Sequence, residues 1–527
     1  MRILVAESLA PEGLELLRRH HEVDERLGLP REEIIAILPD YDALVVRSQV
    51  KVDAEMIAAG TRLVVVGRAG VGVDNVDLEA ATRAGITVVN APTGNTIAAA
   101  ELALALLFGL ARKTAAADAS IRRGEWRRSQ FTGIEVRGKT LGIVGLGKIG
   151  QAIAVRARAM QMPVIASDPF VTPEQAANLG VELVSFDDLV TRSDVITVHV
   201  PKTKATTGLI NAAVIERMKT GVLLLNVARG GVIDEADLAA ALRSGRVAGA
   251  GIDVYTAEPP AGNPLLEAPN TLLTPHLGAS TEEAQIAVAE EVAEQIIEVL
   301  DGRSARYAVN APLLTPETAQ AIAPYLPLAE TLGQFAAQMV AGAPHTLTIE
   351  IAGEPAAHDA SSLVAAVLRG LLEATTEERV NLVNATTLAK ARGITVVERK
   401  TPDAGALASL LTVTAEAERG SITVGGTVAQ GEPRLVRLGA HTMDLAPAAH
   451  MLITNHRDRP GTVGRVGVLL GESDVNISSM TLARSAPRAD AFMVLALDDA
   501  PPASVVAAIR ADDAVIDVWS VTLGGHR

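Results

Sequence analysis

The stretch from Leu141 to Gly150 constrains this chain more than any other. An apolar strand, Leu141–Val144, runs into Gly145-Leu146-Gly147-Lys148-Ile149-Gly150, and a helical pattern follows over 149–160. In such a G-x-G-x-x-G turn the first glycine (Gly145) permits the bend. The second (Gly147) lets a pyrophosphate approach the backbone, and the third (Gly150) lets helix and strand pack closely. Free N–H groups at the helix start favour an anion there. Asp168 follows the next strand, Val164–Ala166. A carboxylate at that point accepts hydrogen bonds from ribose hydroxyls and repels a 2′-phosphate, which predicts NAD rather than NADP.

The unit lies in a long alternation of strands and helices. Ile3–Ala6, Ala43–Val46, Leu63–Val66 and Thr87–Val89 read as buried parallel strands. Asn95-Thr96 is the expected cap of one long helix reaching about Arg123, with Gly124 as its stop. Val195–Val198, Val222–Asn226, Gly249–Val254 and Leu272–Thr274 join the two strands above in a second series of six. The pattern predicts an α/β protein with two doubly wound, Rossmann-like lobes.

A helix from about Thr281 to Leu300 ends at Gly302, and Asn310-Ala311-Pro312 marks a boundary. Residues 317–447 are Ala-rich and read as a separate, intervening α+β domain. The remainder reads strand, Asp458-Arg459-Pro460-Gly461 turn, helix, strand, strand, helix, strand, a ferredoxin-like βαββαβ order. The expected division is 1–95 with 285–316 as a substrate lobe, 96–284 as a dinucleotide lobe, 317–447, and 448–527.

Composition narrows the functions. A net charge of −15 over 527 residues makes a poor general binder of nucleic acid or anionic membrane. The absence of cysteine excludes disulfides, thiolate catalysis, iron–sulfur clusters and Cys-ligated zinc, and no metal is expected. The apolar run Leu102–Ala111 is far short of the roughly 20 residues of a membrane span, and the start MRILVAES is too short for a signal-peptide core, so the cytoplasm is expected.

Oxidising an alcohol with a nicotinamide needs a base for the hydroxyl proton, a cation for a substrate carboxylate and a carboxylate to tune the base. Arg229 (in NVARGG), Glu258 (in AEPP) and His276 (in TPHLGAS) each stand just past a strand of the second series. Ligands of open α/β sheets bind at those carboxyl ends, so the three can converge. Singly, each reads equally well as a surface Arg, a salt-bridging Glu or a helix-capping His. In the first lobe, Arg47-Ser48 and the glycine loop containing Arg68, Gly70 and Val71 also end strands, and suit an anionic substrate.

The segments GLGKIG, NVARGG, AEPP and TPHLGAS resemble the D-isomer-specific 2-hydroxyacid dehydrogenases over about residues 1–312. The resemblance implies Arg229, Glu258 and His276 as the catalytic set, with His276 as proton acceptor in oxidation. It implies cofactor contacts at Lys148, Ile149, Val200, Val227, Ala228, Arg229, Asp253, His276, Leu277, Gly278 and Ala279. Substrate contacts would fall at Arg47, Ser48, Arg68, Gly70, Val71, Arg229 and His276.

The stretch VVGRAGVGVDNVDLEAATRAGI and the whole layout resemble the long members of that family, which carry an intervening domain and an amino-acid-sensing ACT domain. This implies oxidation of D-3-phosphoglycerate to 3-phosphohydroxypyruvate, the first step of L-serine synthesis, in a homodimer or homotetramer. It also implies an L-serine effector held by Asp458 and Asn476 between two ACT domains. His456 stands where relatives carry a Tyr. Arg122, Arg123, Arg127 and Arg128 around Trp126 match a segment that reaches a partner's active site in relatives. The competing readings are a glyoxylate or hydroxypyruvate reductase, a non-catalytic NAD-sensing corepressor, and a serine-binding regulator that lost catalysis.

Overall fold

The computed structural model describes the chain except Ser304, 312–315, Ala374, Glu377, 525–527 and the side chain of Pro316. The expected boundary residue Pro312 and the last residue, Arg527, therefore lie outside the described residues. Four sheets follow one another along the chain.

The first sheet has five parallel strands in the order Glu22–Glu25, Arg2–Val5, Ala43–Val46, Val65–Arg68, Thr87–Asn90. Its central strands are apolar because helices cover both faces. The helix Glu282–Leu300, capped by Thr281 on Ala284 N, seals one face with Val288, Val292, Ala293 and Ile296. The chain thus leaves the first lobe, builds the second and returns to the first.

The second sheet runs Thr271–Leu273, Val247–Ile252, Val222–Asn226, Val195–Val198, Leu141–Val144, Val164–Ser167, Glu182–Leu183, all parallel. Strand order reverses between Leu141–Val144 and Val195–Val198, the switch point where an α/β sheet opens a crevice. The sheet has seven strands, not the six expected. Glu182–Leu183 is too short to show a period, and the acidic edge strand Glu22–Glu25 escaped for a related reason: half-exposed edges carry no apolar run.

The single helix expected from Thr96 to Arg123 is two, Thr96–Arg112 and Thr114–Arg122. Lys113 between them is left-handed, with φ 53°, and no local signal such as Gly marks the break. Asn95 does not cap through its side chain. Gly124, φ 78°, follows the second helix.

The third sheet is mixed, in the order Thr395–Thr401, Pro344–Gly353, Ser409–Ala417, Gly420–Ala429, Glu432–Leu438, His441–Leu445. The fourth is antiparallel, Ile477–Arg484, Asp490–Leu497, His450–Arg457, Val515–Thr522, and its helices Thr462–Gly471 and Ala503–Arg510 complete the βαββαβ order. One core runs through both, from Leu328 and Phe335 on helix Leu326–Met339 to Met451, Ile453 and Val494. The third unit also grips the first lobe: Arg379 donates to Leu63 O (3.0 Å) and Asn381 to Gly85 O (2.6 Å). Among the described residues no helix is long and apolar enough to cross a membrane.

Candidate active site

Strand ends from both lobes face a cleft of about 520 Å³. Arg47, Ser48, Arg68, Gly70 and Val71 line it from the first lobe. Ile149, Val200, Val227, Ala228, Arg229, Glu258, His276, Gly278 and Ala279 line it from the second. Residues 229, 258 and 276 are far apart in sequence and meet because their strands are neighbours.

Glu258 Oε2 lies 2.8 Å from Nδ1 of His276, and Glu258 Oε1 accepts the Tyr255 N–H at 3.1 Å. The carboxylate is thus fixed at one oxygen and orients the ring with the other. A proton on Nδ1 leaves Nε2 as the nitrogen that can accept one from a ligand. His276 has φ 56°, costly for a residue with a side chain. Fully buried Asp253 holds that bend. Its backbone O accepts the His276 N–H at 2.9 Å. Its carboxylate accepts from Leu277 N (2.7 Å), Gly278 N (3.0 Å) and Thr274 Oγ1 (2.6 Å). Asp253 therefore faces the turn that carries His276 and does not line the cleft; Leu277 does not line it either.

The first-lobe loop at Arg47 is held from two sides. Glu7 accepts the N–H groups of Arg47 (2.6 Å), Gln49 (3.0 Å) and Val50 (3.1 Å), while Asn75 donates to Arg47 O (2.9 Å) and Val50 O (2.7 Å). Arg68 is more enclosed. Its Nε is buried without a partner, and burial, with Arg229 adding like charge, pushes its pKa down to about 10. A desolvated guanidinium with its Nε unsatisfied, beside a second one, is a strong pull on an anion.

The glycine turn fits a dinucleotide. Gly145 has φ 93°, and a Cβ on Gly150 would lie 2.2 Å from Gly145 O, so helix and turn touch. A Cβ on Gly147 would meet nothing within 4 Å, leaving the space a pyrophosphate needs. Gly147 makes no side-chain cap, so the N–H groups that open helix Lys148–Ala159 face that space unblocked. Asp168 stands directly after Val164–Ser167. Its oxygens accept from Leu146 N and Phe170 N, both at 2.8 Å, and retain lone pairs for ribose hydroxyls. Lys148 turns elsewhere: its Nζ sits 5.3 Å from the Tyr307 ring centroid.

Sequence reasoning missed Glu7, Asp74 and His199, although all three follow strands of the parallel sheets, which is the signal that found the others. His199 lines the cleft, its Nε2 lies 2.7 Å from Thr197 Oγ1, and its Nδ1 is buried without a partner. Burial pushes its pKa down to about 3.

Asp458 and Asn476 are not brought together within one chain. In the fourth sheet Arg457 pairs with Asp490 and Ile477 with Leu497, so the two residues stand at opposite ends of the strands. Asp458 already holds Arg484 Nη1 (2.7 Å) and Arg488 N (3.1 Å), which keep its pKa below the usual range. Asn476 donates to Asp498 at 2.7 Å. His456 is 1% exposed and turned to Thr454 Oγ1, so its imidazole offers nothing at the surface. Trp126 is 79% exposed; Arg122, Arg123 and Arg127 pair with nearby acids, and none of these, nor Arg128, lines the cleft of its own chain.

Comparison with known proteins places these features in a family. Residues 104–278 match the D-isomer specific 2-hydroxyacid dehydrogenase NAD binding domain, 321–439 the D-3-phosphoglycerate dehydrogenase intervening domain, and 450–514 the ACT domain. The chain is 44% identical over 527 residues to the D-3-phosphoglycerate dehydrogenase of Archaeoglobus fulgidus, covering 99% of this chain and 100% of that one. It is 45% identical over 524 residues to that of Synechocystis, covering 99% and 95%. Among solved structures, the TT0316 protein of Thermus thermophilus superposes with TM-score 0.55 at 38% identity, over 59% of this chain and all of that one. The NAD-dependent formate dehydrogenase of Staphylococcus aureus in complex with NAD gives 0.52 at 32% identity, over 57% and 96%.

Proposed function

The chain belongs to the D-3-phosphoglycerate dehydrogenases, NAD-dependent members of the 2-hydroxyacid dehydrogenase family, and from that premise we propose how its own residues work. It oxidises the C2 hydroxyl of D-3-phosphoglycerate to the ketone of 3-phosphohydroxypyruvate, the opening step of L-serine synthesis. The observation that carries this reading is the cleft itself. Three guanidinium side chains, Arg47, Arg68 and Arg229, line one space with a carboxylate-oriented imidazole.

Arg229 receives the substrate carboxylate, and Arg47 and Arg68, with the loop at Gly70 and Val71, receive the phosphate. A substrate with anions at both ends needs cations at both sides of the cleft. His276 takes the hydroxyl proton at Nε2 while Glu258 stabilises the imidazolium that forms. NAD held by the Gly145–Gly150 turn and Asp168 would supply the hydride acceptor for C2. The buried Asp253 keeps His276 at its bend, and Val227, 6% exposed, gives the cleft wall an apolar side chain. In the reverse direction His276 returns the proton to the carbonyl oxygen.

The fourth sheet's role is L-serine feedback, supported by the ACT match and by the presence of Asp458 and Asn476. Because these stand at opposite ends of one sheet, a shared site requires two copies, Asp458 from one and Asn476 from the other. The test of the catalytic reading is NAD reduction with D-3-phosphoglycerate against D-lactate and D-glycerate. Comparable rates with all three would defeat the phosphate assignment.

A further inference from the structure

One carboxylate of the cleft has no part in the mechanism above. Among the described residues lining it, the carboxylates are Glu258 and Asp74. Glu258 is occupied by His276 and Tyr255 N. Asp74 belongs to the first lobe, on the glycine loop after Val65–Arg68, and its Oδ2 lies 3.2 Å from Nε of Arg229 in the second lobe. The ion pair therefore bridges the cleft.

Its placement on the guanidinium matters. Arg229 donates Nη1 to Ala228 O at 2.7 Å. That leaves the Nε–Nη2 edge for a ligand, the edge that grips a carboxylate with two parallel hydrogen bonds. Asp74 stands at half of this edge. The local backbone makes room for it: a Cβ on Gly72 would lie 2.0 Å from Arg229 Nη2 and 2.8 Å from Asp74 Oδ2. The Asp74 side chain is 70% exposed and that of Arg229 27%, so the carboxylate can leave for water at small cost while the cation stays.

We propose that Asp74 is a resident competitor for the substrate carboxylate, holding the guanidinium of Arg229 in the empty cleft and yielding it when a 2-hydroxy carboxylate docks. The inference rests on the reading above that Arg229 takes that carboxylate. Two like charges, Arg229 and the enclosed Arg68, stand close together, and without substrate Asp74 offsets their repulsion. With substrate, the ligand's anion takes over that task and Asp74 turns outward. When product leaves, Asp74 returns to the vacated edge and assists release. Asp74 is a positioning residue in this account and touches no reacting atom.

The consequence separates this role from a structural brace. Removing a brace loosens Arg229 and weakens binding; removing a competitor tightens it. Asp74→Asn keeps the size of the side chain and removes its charge, while Asp74→Glu keeps the charge. Steady-state kinetics with NAD and D-3-phosphoglycerate should show KM for the hydroxy acid falling roughly two- to fivefold in Asp74→Asn, the scale of an exposed ion pair. KM for NAD should not move, kcat should be equal or lower, and Asp74→Glu should stay near wild type. Calorimetry with oxalate on the NADH-loaded protein probes the same edge without turnover, and oxalate should bind Asp74→Asn more tightly by the same factor. Oxalate binding that is equal, weaker or absent in Asp74→Asn overturns the proposal. Failure of wild type to oxidise D-3-phosphoglycerate would defeat the substrate assignment, and the oxalate comparison would still decide the role of Asp74.

Discussion

Glu258 meets His276 at 2.8 Å through one carboxylate oxygen and is itself fixed by the Tyr255 N–H through the other. The pair joins the segments that follow two neighbouring strands, Val247–Ile252 and Thr271–Leu273, and so ties the imidazole to both. His276→Ala should lower kcat by roughly 10²–10⁴, the usual weight of a general acid–base group, with NAD binding nearly unchanged. Glu258→Gln keeps the shape but not the charge and should cost roughly 10² in kcat/KM. Steady-state rates and NAD titration by fluorescence measure both.

Asp253 has a different duty. Its side chain meets three donors in the turn that carries His276, and Asp253→Ala would leave the Leu277 and Gly278 N–H groups unpaired, at about 1–3 kcal/mol each. Turnover and Tm should fall together in this variant. His276→Ala should lower turnover with little change in Tm. Melting curves recorded beside the kinetics distinguish the two.

Asp168 bonds its own glycine turn through Leu146 N, besides the ribose contact expected of it. Asp168→Ala should raise KM for NAD roughly tenfold and narrow the gap to NADP, whose 2′-phosphate is no longer repelled. A wild-type enzyme that prefers NADP would contradict this.

His199 shares the cleft with His276 but is held neutral by burial, gaining a proton only as pH falls to about 3. Between pH 5 and 9 no positive charge appears there, so His199 contributes no inflection to the pH profile. His199→Gln should leave the acid limb of kcat/KM against pH where it is in wild type. An inflection that moves with this substitution would show that His199 titrates in the working range.

Arg484 occupies Asp458 at 2.7 Å, the carboxylate expected to meet the ammonium group of serine. Serine must displace that guanidinium. Arg484→Ala should therefore sharpen inhibition by L-serine, whereas Asp458→Ala should abolish it and leave uninhibited turnover intact. Dose–response curves for the two variants test this. Calorimetry that detects no serine binding to wild type would remove the effector site.

How much of this could be read in the chain differed by element. The strand–GLGKIG–helix unit was legible because each glycine answers a local demand, and Arg229, Glu258 and His276 because apolar strands make the positions just after them easy to find. The break at Lys113 was not, since a lysine gives none of the turn signals that Gly or Asn would give for a left-handed residue. Asp253 read as a cofactor neighbour, but only its three hydrogen bonds reveal that it shapes a turn. Asp74 lay in plain view in a glycine loop. Its partner is on the other lobe, and no spacing in sequence encodes a contact across a cleft.

The central claim is that a cleft with cations on both lobes serves a substrate with anions at both ends. The most direct measurement is kcat/KM of the wild-type protein with NAD for D-3-phosphoglycerate and for D-glycerate, which lacks only the phosphate. Bonds to charged groups are worth about 1.5–3 kcal/mol each, so loss of the phosphate should lower kcat/KM by roughly 10² or more. Equal kcat/KM for the two acids would contradict the account.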